Sequence, residues 1–238
     1  MTGETAAWLF TASAWVLPVL LGVALHEAAH GYVANWLGDP TAREAGRITL
    51  NPLRHVDPVG TILIPGLLIL SPLNFVIGFA KPVPVDFGRL SNPRRDMIWV
   101  ALAGPGTNIL LALAAALLFH VQQVLPSPYG EWVWYNLRNG LIINLALAVF
   151  NMLPVPPLDG GRVAVGVLPR QLARPLARLE PAGIFVVLGV LFLLPYLLGR
   201  LGVAFEPAAW LGSAILSLVR LLILVTGAPV GAAAPAGL

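Results

Sequence analysis

Apolar residues along the chain form long runs that are separated by polar segments rich in glycine, proline and arginine. The first run covers residues 8–37 and ends at a cluster of helix-breaking residues, Gly38, Asp39 and Pro40. The other runs cover residues 97–121, 141–153, 182–199 and 207–227. Because about 20 apolar residues cross a bilayer as a helix, the pattern predicts an all-α polytopic membrane protein with about five spanning helices.

The arginines predict which ends of these helices face the cytoplasm. Lysine and arginine accumulate in cytoplasmic loops, and segment 122–136 contains neither, which indicates an external loop. Arginines occur instead in the loops assigned to the inside, at Arg43, Arg47, Arg54, Arg94, Arg95, Arg162, Arg170, Arg174 and Arg178. The amino terminus is therefore expected outside. The carboxyl terminus, after a final helical hairpin at 182–227, is expected in the cytoplasm.

One further apolar segment, residues 59–70, does not fit this topology, because basic loops that belong inside lie on both sides of it. A re-entrant hairpin across residues 57–80 keeps both loops on one face, and it needs cover from protein or a hydrated cavity. A true span that breaks the charge rule is the alternative, and the shortness of the segment favours the hairpin. Residues 228–238 are expected to form a disordered tail, which leaves a single membrane domain at 1–227.

The composition supports a membrane protein and excludes several kinds of functional site. Of the 238 residues, 58% are hydrophobic and 11% are charged, and the mean hydropathy is +0.82. A soluble domain is about one quarter charged. The absence of cysteine excludes disulfides, thiolate metal sites and a cysteine nucleophile. A net charge of +3, spread over membrane loops, reflects topology and does not indicate nucleic-acid binding.

The chemistry-bearing residues lie in the first run, where His26, Glu27 and His30 form the pattern H-E-x-x-H. With 3.6 residues per turn, the two histidines share one helix face and can offer imidazole nitrogens to one tetrahedral zinc ion. Glu27 lies beside them, where a carboxylate can take a proton from a water that the metal activates. The alternative is that the histidines are hydrogen-bonded packing residues and that Glu27 pairs with an arginine. Three ionisable side chains in an apolar helix are costly, which favours the zinc site.

A catalytic zinc ion usually has three protein ligands, and Asp159 is the best candidate for the third. It follows the 141–153 run in a proline-rich segment that must break the helix. Broken backbone at this depth needs a cavity. A zinc ion with ionised Glu27 and Asp159 is formally neutral, which lowers its cost in a membrane. Asp159 as the cap of a short helix from Gly160 is an alternative that is compatible with metal binding.

The remaining histidines are poorer candidates for the third ligand. His55 lies in the first cytoplasmic loop among basic and turn-forming neighbours, and His120 lies at the predicted external end of its helix. Two other functions also remain open. Paired histidines and a carboxylate near a broken helix would suit a membrane transporter of divalent cations, and a non-catalytic scaffold with a metal site is a further alternative.

Four sequence motifs are spread over most of the region from residue 20 to residue 165. They are H-E-A-A-H at 26–30, G-F-A-K-P-V-P-V-D at 78–86, A-L-A-G-P-G-T-N at 101–108 and N-M-L-P-V-P-P-L-D-G-G-R at 151–162. This combination resembles the site-2 protease family of intramembrane zinc metalloproteases. The chain resembles a minimal form of that family, without a PDZ insert or CBS domains, with its core at about 8–165.

The resemblance implies a role for each matching position. The zinc ligands, one ion per chain, would be His26, His30 and Asp159, with Glu27 as the general base. Asn151 would hold substrate backbone or the oxyanion, although helix-to-helix hydrogen bonding is an equal alternative. The implied fold is a three-helix catalytic core. The implied activity is regulated intramembrane proteolysis of a transmembrane protein substrate in the bacterial cell (inner) membrane.

Three smaller features carry structural expectations. Gly104 and Gly106 are expected to permit close helix packing. Asn108 is expected to make a structural hydrogen bond. Pro82 and Pro84 predict an extended segment that can offer a backbone edge to a substrate.

Overall fold

The first apolar run forms one long helix, α1 (Gly3–Trp36). It belongs to a computed structural model that describes residues 3–49, 51, 54–63 and 81–229. The chain leaves α1 through Gly38, whose φ of 108° is a conformation that residues with a Cβ disfavour. A short helix, α2 (Thr41–Glu44), follows directly. The predicted breaker cluster therefore ends the helix where the sequence places it.

Asp39 fixes the chain just beyond α1. Its side chain accepts hydrogen bonds from the Thr41 hydroxyl, from the Thr41 N–H at 3.0 Å and from the Asp86 N–H at 2.7 Å. Burial raises the pKa of Asp39, but these hydrogen bonds outweigh it, so the net pKa is lowered. The Asp39 carboxylate thus joins the end of α1 to Asp86, which lies in the segment before the next long helix.

Two further long helices, α3 (Pro93–Gln122) and α4 (Tyr129–Asn151), pack against α1 and against each other. Small residues on α3 allow the helices to approach closely. A hydrophobic core joins α3 and α4 to the carboxyl-terminal part of the described chain, and it consists of Ala112, Ala115, Ala116, Phe119, Leu141, Leu145, Val219 and Ala228. These three helices are the scaffold on which the candidate site is built.

The start of α4 corrects the sequence prediction. Segment 122–136 was expected as an external loop, yet α4 begins at Tyr129. The polar residues of its first half are accommodated by their neighbours: Asn139 donates to the Ala14 carbonyl of α1 at 3.0 Å, and Arg138 lies over the Trp134 ring. A hydropathy analysis assigns these polar residues to a loop. In the structure their side chains find partners on α1 and within α4, so a helix can contain them.

After α4 the chain breaks in the proline-rich segment and forms shorter helices. These are α5 (Asp159–Val167), α6 (Arg170–Ala177), α7 (Gly183–Leu188) and α8 (Leu194–Arg200), with a π-helical turn at Gly189–Leu193 joining the last two. The last helix, α9 (Pro207–Thr226), packs against α3 and α4. The described residues contain no strand, which confirms the all-α prediction.

Four helices in the described part of the chain are long and apolar enough to cross a membrane. They are Thr5–Trp36, Pro93–Gln122, Gly183–Arg200 and Pro207–Thr226. The fifth predicted span corresponds to α4, which has the necessary length but is more polar. The helices confirm an integral membrane protein.

Two predicted segments lie largely outside the described residues. Of the predicted hairpin at 57–80, the structure describes residues 57–63, which include a π-helical turn at Pro58–Leu63, so the choice between hairpin and span stays a prediction. Of the predicted tail, residues 230–238 lie outside the described range, while Ala228 is buried in the helix core.

Candidate metal centre

Three predicted ligands meet between α1 and α5. His26 and His30 lie one turn apart on α1, and their Nε2 atoms are 3.1 Å from each other. Asp159, the first residue of α5, brings its Oδ2 to 3.3 Å from His26 Nε2 and 3.4 Å from His30 Nε2. His26 and Asp159 are buried and His30 is half-buried. The fold therefore joins residues that are far apart in the sequence into one cluster that could hold a metal ion.

A chain of asparagines fixes the orientation of His26. Asn108 Nδ2 donates to the Gly22 carbonyl at 3.1 Å and to Asn144 Oδ1 at 2.8 Å, while Asn144 Nδ2 donates to the Gly140 carbonyl at 2.8 Å. Because backbone carbonyls only accept hydrogen bonds, these contacts assign the orientation of both amides. Asn108 Oδ1 must then face His26 Nδ1, which lies 2.6 Å away.

Both histidines consequently carry their proton on Nδ1. His26 Nδ1–H donates to Asn108 Oδ1, and His30 Nδ1–H donates to the Val100 carbonyl at 2.7 Å. In a neutral imidazole the other nitrogen is then an unprotonated acceptor. The two Nε2 lone pairs are thus both directed into the cluster, which is the tautomer that metal-binding histidines use.

The cluster brings acceptors together without a donor. Asp159 Oδ2 is buried and has no hydrogen-bond partner among the described residues. It faces two Nε2 atoms that are themselves acceptors. Leaving a buried acceptor without a hydrogen bond costs about 1–3 kcal/mol. One extra proton would give a hydrogen bond to only some of these three acceptor atoms. A cation satisfies all three atoms, and two imidazoles with one carboxylate form a donor set that zinc accepts.

Gly104 on α3 provides the space in which the imidazoles lie. A Cβ at this position would be 2.4 Å from His30 Nε2 and 2.6 Å from His26 Nε2. At Gly106, by contrast, a Cβ would meet nothing within 4 Å, so the expectation of close packing there is wrong. Gly104 and Asn108 are four residues apart and share one face of α3. That spacing is the signal by which the sequence could have linked both residues to the histidines.

The position of Asp159 depends on two glycines that follow it. A Cβ on Gly160 would lie 2.2 Å from the Met152 carbonyl oxygen, and a Cβ on Gly161 would lie 2.1 Å from Pro156 N. Only glycine therefore lets α5 fold back against the turn that ends α4. The N-cap of α5 is Leu158, and Asp159 is the first residue of the helix, with its carboxylate directed at the two histidines.

Glu27 is half-buried beside the histidines and is held by the chain segment around Val83. Its Oε2 accepts a hydrogen bond from the Val83 N–H at 2.9 Å. Pro82 and Pro84 flank Val83 and have no N–H, so Val83 is the backbone donor of this triplet. Segment 81–86 contains no helix, as the prolines predict.

Both ends of segment 81–86 are anchored. The Lys81 N–H donates to the His55 carbonyl at 3.0 Å, and the Lys81 carbonyl accepts from Arg47 at 2.7 Å. At the other end the Asp86 N–H donates to Asp39. The backbone that contacts Glu27 is therefore fixed against the carboxyl-terminal end of α1.

Comparison with known proteins agrees with this geometry. Residues 131–195 match the model of Peptidase family M50. The chain is 37% identical over 188 residues to the Bacillus subtilis protein named "Putative zinc metalloprotease YwhC", covering 76% of this chain and 80% of that protein. It is 31% identical over 202 residues to the Mycobacterium tuberculosis protein named "Putative zinc metalloprotease Rip2", covering 84% and 75%. The chain belongs to peptidase family M50, the site-2 protease family. No solved structure matches it at a significant level.

The other predicted or rejected positions of this M50 protein lie outside the cluster. Asn151 ends α4, and its side chain donates to the Leu147 carbonyl of its own helix at 3.0 Å. His55 is buried with its Nε2 against the Thr49 carbonyl at 3.0 Å, and His120 contacts the Thr226 carbonyl at 3.0 Å. Neither histidine joins the cluster, in agreement with the sequence analysis.

Proposed function

We propose that this M50 protein is an intramembrane zinc metalloprotease of the H-E-x-x-H type, which hydrolyses peptide bonds within or next to transmembrane segments of membrane proteins. The observation that carries the proposal is the meeting of three acceptor atoms, from His26, His30 and Asp159, with both histidines on a helix long enough to span a membrane. Glu27, adjacent in sequence to one of these ligands, supplies the carboxylate that hydrolysis requires. One zinc ion per chain fits this donor set.

The residues of the chain divide the chemistry among them. When bound, zinc supplies Lewis-acid polarisation of the scissile carbonyl and a lowered pKa of the attacking water. Glu27 takes the proton from that water and passes it to the leaving amine. The hydrogen bond from the Val83 N–H holds one oxygen of Glu27 in place, which leaves the carboxylate a second oxygen for the proton.

A transmembrane substrate is helical, and its carbonyls are engaged in its own hydrogen bonds. The enzyme must therefore unwind the substrate near the site before water can attack. Segment 81–86, which forms no helix and contacts Glu27 through the Val83 N–H, supports a role in holding the unwound strand. Asn151, at the end of α4 and the start of the proline-rich turn, is proposed as a second contact for substrate backbone.

The proposed location is the bacterial cell (inner) membrane, with the amino terminus outside and the carboxyl terminus in the cytoplasm. The support is the concentration of arginines in the loops on one side of the helices. In this orientation the zinc site lies toward the cytoplasmic end of α1, since His30 precedes the end of that helix at Trp36 by fewer than two turns.

The test is cleavage of single-pass reporter proteins in proteoliposomes, with transmembrane segments that carry a helix-breaking residue at graded depths. Wild type is compared with Glu27→Gln and with the matched control Glu44→Gln, an exposed glutamate on α2 that pairs with Arg89. Loss of a general base lowers the rate by about 10²–10⁴-fold, so E27Q should lose cleavage while its zinc content by elemental analysis stays at wild-type level.

E44Q should cleave and bind zinc like wild type. Cleavage by E27Q at a near-normal rate would contradict the role of Glu27. A zinc-loaded wild-type protein that cleaves none of the reporters would count against intramembrane proteolysis.

A further inference from the structure

A groove separate from the zinc site lies between α6 and the start of α3. Its volume is about 390 Å³, and its walls include Phe87, Met97, Val165 and Ala173. Arg94, Arg170 and Arg174 also line it. The lining of the groove therefore combines apolar side chains with three arginines.

The groove lies at the membrane boundary. α3 is a candidate span from Pro93, so Arg94 and Met97 belong to the first turns of that span. α6 ends at Ala177, and the next candidate span begins at Gly183. This connection reaches at most about 20 Å. Both walls of the groove are thus held near the level of lipid headgroups.

The three arginines that line the groove form no ion pair with a carboxylate among the described residues. Arg170 and Arg174 form no ion pair there. Arg94 is occupied by the carbonyls of Gly166 and Leu168, which do not neutralise it. The acidic side chains nearby are engaged elsewhere. Glu180 pairs with Arg162 at 3.1 Å, Asp96 accepts from the Asn92 N–H and Asp86 accepts from the Gly88 N–H.

The position of the arginines on α6 is itself unfavourable without an anion. Arg170 is the first residue of α6, and the helix has no side-chain cap and no acidic residue in its first turn. A cation at a helix amino terminus opposes the helix dipole, and like charges four residues apart, such as Arg170 and Arg174, repel each other. A bound anion at this end of α6 would offset both effects.

Exposed apolar side chains also occur on the helices that line the groove. Leu172 on α6 is 57% exposed and Val167 at the end of α5 is 66% exposed. An acidic peptide would not require this apolar surface, whereas a lipid presents a phosphate and an acyl chain together. We propose that the groove binds an anionic phospholipid, with its phosphate at Arg170 and Arg174 and the upper part of an acyl chain along Met97, Val165 and Ala173.

The experiment measures lipid retention in nanodiscs of phosphatidylcholine that contain phosphatidylglycerol as a minor component. The co-purifying lipid is quantified by mass spectrometry after exchange into detergent. Wild type is compared with the double variant R170Q/R174Q and with the matched control R43Q/R178Q, which removes the same charge from arginines that do not line the groove. Each arginine near an anionic surface contributes about fivefold in affinity, so the R170Q/R174Q variant should lose about 30-fold.

The control should stay within about twofold of wild type, because Arg43 and Arg178 do not line the groove and the effect of a charge falls off within a Debye length. Zinc content serves as the check that each variant is folded, and R170K/R174K, which keeps the charge, should retain most of the phosphatidylglycerol. Equal loss in R170Q/R174Q and R43Q/R178Q would overturn the proposal, because binding would then reflect overall charge. Displacement of the lipid by soluble glycerol phosphate, or by a glutamate-rich peptide, at equal concentration would also overturn it.

Discussion

Replacement of Gly104 by alanine should remove zinc from this protein while leaving its helices intact. The added Cβ would lie 2.4 Å from His30 Nε2 and 2.6 Å from His26 Nε2, where ordinary contact begins at 3.4 Å. The imidazoles or α3 must therefore move by about 1 Å, whereas metal–ligand distances tolerate only about 0.2 Å. Loss of a residue that merely supports a ligand lowers metal affinity about 10–100-fold, so we expect a loss of at least about 100-fold.

Gly106→Ala is the matched control, since it places the same methyl group on the same helix with nothing within 4 Å. Alanine favours a helix over glycine by up to about 1 kcal/mol at both positions. Overpacking opposes this gain at Gly104 by about 1–3 kcal/mol. The difference between the two variants therefore isolates the contact with the imidazoles.

The assay is a competitive zinc titration against a chromophoric chelator in detergent, with thermal unfolding recorded for each variant with and without zinc. Wild type and G106A should bind zinc with equal affinity and gain stability from it. G104A should unfold cooperatively but gain little from added zinc. A folded G104A protein with wild-type zinc affinity would refute the placement of Gly104 against the two histidines.

Three further predictions follow from the site and its surroundings. Asn108→Ala should lower zinc affinity about 10–100-fold, because the proton on His26 Nδ1 loses its acceptor. The control Asn139→Ala, which removes another buried amide, should lower stability but not zinc affinity. Equal effects of the two variants on zinc affinity would contradict the tautomer assignment. Asp159→Ala should abolish stoichiometric zinc in elemental analysis, and persistence of one zinc per chain would exclude it as a ligand. The lowered pKa of Asp39 means that its contribution to stability is present above the ordinary value of 3.8 and is lost as the pH falls through the folded pKa. Asp39→Asn should therefore lower the unfolding temperature at pH 7 and show a deficit that shrinks as the pH falls below 3.8. A deficit independent of pH would contradict the charged hydrogen bonds.

Hydropathy failed at α4 for a reason that concerns helix packing. The residues before 141 include asparagines and an arginine, so a count of apolar residues assigns them to a loop. In the structure Asn139 donates to the Ala14 carbonyl of α1. A polar group that finds a partner on a neighbouring helix no longer needs water, and the sequence does not state which helix that neighbour is.

The two glycines of the motif at 101–108 show the same limit of sequence analysis. The sequence assigns Gly104 and Gly106 the same role, because both flank Pro105 in an apolar run. Only the packing of α3 against α1 separates them, with one glycine against two imidazoles and the other in open space. The sequence likewise predicts only a structural role for Asn108, because it does not show that this residue faces His26 on α1.

The sequence by itself determined whatever depends on local geometry. The helical period places His26 and His30 on one face, and the prolines after Asn151 break the next helix whatever surrounds them. The tertiary structure decided what depends on contacts between distant segments: Asn108 meets His26 across 82 positions of sequence, and Asp159 approaches the histidines from another helix. Covalent geometry fixes the first kind of relation within a turn of helix, whereas the second kind is set by the packing of whole helices, which no single segment encodes.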